Sequence, residues 1–202
     1  MKIFKTASLV FFISVLSACG SKTDKQDEDE VEVDVNIGRV DVNKLNMTNL
    51  LAEIKKREEA FKTEKTVNNR NAFLLMEAYV AFSERFNNRE NADEYLFKAG
   101  EVAMSQEMTV EAIRYLTRLY DEFPRYEKRA YGLFLLGFVQ ENYSGNLDEA
   151  KRVYELFLVE FPDHEMADDA KASIRNLGKS PEQIIREFEI KDSITNAEKE
   201  AA

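Results

Sequence analysis

Few residues in this chain have types and spacing suited to chemistry. His164 is its single histidine and Cys19 its single cysteine. A zinc site or a nucleophile–base pair needs partners of the same kind, and neither residue has one. The sequence has no Gly-rich phosphate loop, no Gly-x-Ser-x-Gly elbow and no His-Glu-x-x-His helix. Carboxylates are abundant, but along the periodic stretches they alternate with Lys and Arg. Glu53 and Arg57 form an i, i+4 pair of this sort, which reads as a solvated helix face. His164 follows Pro162-Asp163 and reads as the polar cap of the next helix. The expectation is therefore no enzyme: no catalytic residue, no metal ligand and no cofactor. A net charge of −10 also argues against nucleic acid as a partner, because phosphates call for clustered Lys and Arg.

Cys19 has a different context. Lys2 and Lys5 form a basic start, and Leu9–Leu16 is an apolar run too short to span a bilayer comfortably. Leu16-Ser17-Ala18-Cys19 then resembles the bacterial lipobox. That resemblance implies a signal peptide over residues 1–18 and lipid attachment, palmitate included, at Cys19. A lone thiol in an exported chain has no disulfide to make, and acylation accounts for it. Two or three acyl chains anchor stably where one binds only marginally. Gly20, rather than Asp, follows the cysteine, which resembles sorting to the outer membrane, facing the periplasm. Surface exposure is the other location open to such a lipoprotein, since some exported ones carry an acidic stretch after the cysteine; here Lys22 and Lys25 interrupt it.

Residues 19–46 read as an acidic flexible linker. Asp27, Glu28, Asp29, Glu30, Glu32 and Asp34 repel one another and keep the chain extended. Val31–Ile37 alternates apolar and acidic residues at a strand period with no second strand to pair. An extended stalk is the preferred reading, and strand addition to a partner's sheet edge the other. The cluster lacks the ordered spacing and turn glycine of a calcium loop.

From residue 47 to about 190 the period is helical. Ala72, Leu75, Met76, Tyr79, Phe82 and Phe86 follow the i, i+3, i+4, i+7 spacing. Similar faces recur over 91–105, 109–123, 129–142, 146–161 and, more weakly, 166–177. An earlier helix starts at Thr48 or Asn49, with Leu50, Leu51, Ile54, Glu58 and Phe61 in its pattern. Ser180-Pro181-Glu182-Gln183 has the form of an N-cap with Pro at N1 and Gln at N3, opening a helix that holds Ile184, Ile185 and Phe188. Residues 191–202 read as a polar tail that frays. The expected fold class is all-α, with about eight helices stacked in antiparallel pairs.

Within that domain a unit repeats. Ala112 and Ala150 lie 38 residues apart, as do Pro124 and Pro162. Gly100, Ala112 and Pro124 are spaced by 12, with Leu116 and Leu119 between, and Gly137, Ala150, Tyr154 and Pro162 repeat the order. This pattern resembles the tetratricopeptide repeat, with small residues where paired helices approach and Pro closing the second helix. A degenerate copy precedes them at Leu75, Tyr79 and Phe82, with Asn87 where Pro would stand. Long repeats ending in Phe-Pro or Tyr-Pro resemble two envelope proteins: the periplasmic coordinator that works with the Tol–Pal system, and the lipoprotein D subunit of the outer-membrane β-barrel assembly machine.

The resemblance implies a short α-solenoid whose first helices line a groove for a protein or peptide. By position from Gly100 and Gly137, the groove residues are Phe97, Glu101 and Met104, with Glu94 beside them, and Tyr131, Phe134, Phe138, Glu141 and Asn142. The aromatic residues among them are either groove anchors or core, or are covered by the terminal helix, which would then act as a solenoid cap. The functional expectation is a lipid-anchored adaptor of the cell envelope that binds another envelope protein or peptide, with the membrane engaged through its acyl chains. Alternatives are an accessory lipoprotein of outer-membrane β-barrel assembly and, in another class, a hydrolase or solute-binding lipoprotein. The short chain counts against the last.

Overall fold

A computed structural model describes residues 40–63 and 69–200. The expected signal peptide, Cys19, the acidic cluster and Val31–Ile37 lie outside the described residues. A single 3-10 turn, Val42–Lys44, leads into eight α-helices. These are α1 (Met47–Thr63), α2 (Asn69–Arg85), α3 (Ala92–Ser105), α4 (Thr109–Glu122), α5 (Arg129–Asn142), α6 (Leu147–Glu160), α7 (Ala167–Asn176) and α8 (Pro181–Glu200). No strand occurs among the described residues. From α1 to α7 each helix packs chiefly on its neighbours in sequence, and the pairs α3–α4 and α5–α6 pack most extensively. The fold is an all-α, tetratricopeptide-like solenoid.

Local chemistry sets the helix ends. Asn46 caps α1, its Oδ1 accepting from the Asn49 amide at 2.9 Å, so the start lies earlier than Thr48 or Asn49. Asn146 caps α6 by accepting from Glu149 at 3.2 Å. Ser180 and Gln183 form the expected reciprocal box: the Ser180 amide donates to Gln183 Oε1 at 2.8 Å and the Gln183 amide donates to Ser180 Oγ at 3.3 Å. Phe123 and Phe161, each before a proline, leave the helical region at ψ 67° and 54°, which ends α4 and α6 at equivalent points.

Small residues set how closely the helices approach. Ala112 and Ala150 are fully buried. A Cβ on Gly100 would lie 3.0 Å from Leu116 Cδ2, and one on Gly137 would lie 2.6 Å from the Tyr154 ring. Gly132, not part of the repeat pattern, does the same between repeats, where a Cβ would meet Leu119 Cδ2 at 2.7 Å.

Four expectations need correction. The linker does not extend to residue 46: Val42 is fully buried in the core, and Arg85 donates to the carbonyls of Val42 (2.8 Å) and Leu45 (2.5 Å). Glu53–Arg57 is not a solvated pair. Arg57 is 1 % exposed and spends its fork on Glu53 Oε1 (2.8 Å), the Leu74 carbonyl (2.5 Å), Glu77 Oε2 (3.0 Å) and the Val40 carbonyl (3.2 Å). A planar guanidinium with five donors can bind four acceptors from three segments at once. Finally, residues 191–200 continue α8 rather than fray, and α8 does not cap the solenoid. Ile185, Phe188, Ile190 and Ile194 on it are each more than half exposed.

Two outcomes follow from this packing. Arg57→Met should destabilise by about 3–5 kcal/mol in chemical denaturation, because it leaves Glu53 buried without its cation. Gly137→Ala should lower the denaturation midpoint more than Gly100→Ala. The first drives a Cβ into an aromatic ring, at a typical overpacking cost of about 1–3 kcal/mol, whereas the second meets only the end of a flexible leucine.

Candidate protein-binding face

The inner faces of α1, α3 and α5 come from the first helix of each pair. On α3 and α5 the structure divides the expected groove residues into two sets. Phe97 is 2 % exposed, with its ring against Tyr126 (6.0 Å between centroids) and Tyr131 (5.9 Å), and Lys128 Nζ 5.2 Å above it. Phe134 is 9 % exposed and packs on Tyr154 (5.5 Å) and Phe157 (5.8 Å). Both are core residues and cannot anchor a partner. Apolar residues three or four apart on the same helix fill the seam to the next helix before they reach solvent.

The others stay accessible to different degrees. Tyr131 is exposed. Phe138 is half-buried, edge-on to Tyr143 at 5.9 Å, and Met104 is half-buried against the core. Glu141 accepts from the Tyr154 hydroxyl at 2.9 Å, and exposed Asn142 donates back to the Phe138 carbonyl at 3.0 Å. The first bond ties the end of α5 to α6, and the second is local to α5. The terminal helix covers none of these positions in a packed arrangement.

Glu101 is exposed and lines a cavity of about 430 Å³. α1 contributes Glu58, Phe61 and Lys62; α2 contributes Leu75 and Tyr79; α3 contributes Lys98, Glu101 and Val102. The cavity thus lies between the first helices of two successive pairs, with a second helix beneath. Sequence reasoning placed Glu58 and Phe61 on the periodic face of α1 without assigning them a site. Lys98 could have been found as the residue between Glu94 and Glu101 at helical spacing.

Its electrostatics are partly closed. Glu58 Oε1 accepts from the Tyr79 hydroxyl at 2.7 Å and faces Lys98 Nζ at 3.8 Å. Lys98 lies over the rings of Tyr79 and Tyr95, which stack 5.4 Å apart. Burial, reinforced by Glu58, pushes the Tyr79 phenol far up, so it remains a proton donor. Lys62 pairs with Glu59 at 3.2 Å. Burial raises the Glu101 carboxyl, Lys128 partly offsets this and Glu94 adds to it. Two carboxylates therefore share the cavity, but Glu58 is already an acceptor for Tyr79 and the counter-ion of Lys98. Hydrolytic chemistry would need both carboxylates free to exchange protons with a substrate.

Further along α3, burial alone would raise Glu94. Hydrogen bonds from Tyr126 (2.5 Å) and Lys128 (2.9 Å) outweigh that and hold it below its ordinary value. His164, expected as a cap, accepts from the Met166 amide through Nδ1 at 3.2 Å ahead of α7 and packs edge-on to Phe157.

Comparison with known families agrees with this geometry. Residues 94–126 and 131–164 each match the tetratricopeptide repeat, that is, α3–α4 and α5–α6 with their closing turns. No curated protein matches the chain. The repeat typically forms a non-enzymatic scaffold that binds protein partners. α1–α2, the degenerate copy, adds a third pair of similar build outside the matched residues.

The Glu94 network gives a pH signature. Because the folded pKa is depressed, the unfolded chain binds the extra proton and stability rises with pH through this range. Glu94→Gln should cost stability near neutral pH. The gap to the parent protein should close as pH falls below the ordinary value of 4.5, as read by thermal unfolding across that range.

Proposed function

We propose that this protein is a non-enzymatic adaptor of the bacterial cell envelope. It is anchored through acyl chains on Cys19, held off the membrane by its acidic stalk and bound to a partner protein through the inner face of its repeats. The observation that carries this reading is the cavity shared by the first helices of two successive pairs, in a fold whose repeats typically bind proteins. The anchor rests on the lipobox-like Leu16–Cys19 and the lone thiol. No helix among the described residues is long and apolar enough to cross a membrane. The outer membrane, facing the periplasm, is the proposed location.

Metabolic labelling with palmitate tests the anchor. The parent chain should be labelled and sediment with membranes, and Cys19→Ser should lose both properties; an unlabelled parent chain rules out the lipid anchor. A photo-crosslinking residue tests the binding face. Placed at Glu101, it should capture a partner that is missed from Val159, which is 77 % exposed on α6. Equal capture from both positions would remove the cavity from the binding surface.

A further inference from the structure

The charges around the cavity specify what it can hold. Its floor is apolar, made by Leu75, Tyr79 and Val102, and it is a depression of about 430 Å³ that opens to solvent. Both lysines that reach it are already matched within the fold, Lys98 by Glu58 and Lys62 by Glu59. Glu58 is also engaged by Tyr79. Beyond the rim, Lys128 is held by Glu94 at 2.9 Å. Glu101 is different: no hydrogen bond and no ion pair within 4 Å reaches its carboxylate from a described residue, and Lys128 and Lys98 act on it only over a longer distance. The cavity therefore has an apolar floor and, on its wall, one carboxylate without a close cationic partner.

We propose that this cavity seats a cationic–apolar segment of the partner: a large apolar or aromatic side chain on the Leu75–Tyr79–Val102 floor, with an adjacent Lys or Arg paired to Glu101. This deepens the adaptor reading and rests on it. An acidic segment would meet Glu101 and Glu58 with no free cation to offset them, and like-charge contacts of this kind select against wrong partners. The chain's net charge of −10 also steers cationic segments toward it over distance.

The test uses the full chain in detergent micelles and three fluorescent Gly/Ser peptides carrying a central Phe-Lys, Phe-Glu or Ser-Lys pair, with affinity read by fluorescence anisotropy at low salt. Phe-Lys should bind about fivefold or more tighter than Phe-Glu, as expected for one partly exposed charge pair plus the removal of one repulsion, and tighter than Ser-Lys. Glu101→Gln should level the Lys-over-Glu preference and Glu101→Lys should invert it. Because Glu101 is exposed, both variants should keep the parent's helical circular dichroism. A flat preference, or one unchanged by either variant, overturns the inference. So does the absence of peptide binding while the crosslinker at Glu101 still captures a partner, which leaves the adaptor reading standing. Absence of both peptide binding and capture removes the adaptor reading as well.

Discussion

Each helix from α1 to α7 buries its apolar side chiefly against the helices next to it in sequence, and the rest of the structure depends on that constraint. A helix pair cannot cover its own apolar face, so stacking successive pairs is what builds the core. Stacking works only if the backbones come close, and the glycines on α3 and α5 make this possible. Gly137 leaves room for the Tyr154 ring and Gly132 for Leu119, one within a pair and one between pairs. Once the spacing is fixed, Phe97 and Phe134 have nowhere to point but the seams, and their rings become core.

The first pair lacks the Gly and Pro markers of the other two, and buried polar chemistry holds it together. Arg57 joins α1, α2 and the chain at Val40 through one guanidinium. Arg85 fixes the next few residues through the carbonyls of Val42 and Leu45. A buried cation left without partners costs several kcal/mol, so these bonds specify one arrangement of the entering chain. The chain at Val40–Leu45 is therefore held firmly on the fold, next to the helix that forms one wall of the cavity.

Tyrosine–carboxylate–cation triads brace the helices, one closing a repeat on itself and one tying it to the next. Tyr126 and Lys128, after α4, meet on Glu94 at the start of α3. Arg129 stacks over Tyr120 at 4.0 Å and reaches Glu160 at 2.8 Å, with the Tyr120 hydroxyl on the same carboxylate. These groups use up many of the charges that would otherwise face a partner. What remains around the cavity is a floor of apolar side chains rimmed by Glu58, Lys62, Lys98 and Glu101, with exposed Tyr131 farther along the inner face. At the far end α8 leaves Ile185, Phe188, Ile190 and Ile194 in solvent, a surface the solenoid itself does not use.

Much of the fold was legible in the sequence. Helical periodicity, Phe-Pro stops and the 38-residue repeat are local or near-local signals, and they determined the all-α class, the pairing order and most helix boundaries, as well as the Ser180–Gln183 box; His164 binds the amide of Met166 just ahead of α7 rather than capping the helix itself. Tertiary structure decided everything that depends on which side of a helix meets a neighbour. The Glu53–Arg57 spacing is the same whether the pair is solvated or buried; only the carbonyls of Val40 and Leu74, distant in sequence, made it a buried hub. Phe97 and Phe134 have the composition of anchors, and their burial depends on interhelical distance, which residue spacing does not encode. The terminal helix has the apolar residues of a cap, and they stay exposed, an outcome that its own periodicity does not encode. The cavity is formed by side chains from α1, α2 and α3 converging across more than forty positions of sequence, so its lining could be read only once those helices were stacked.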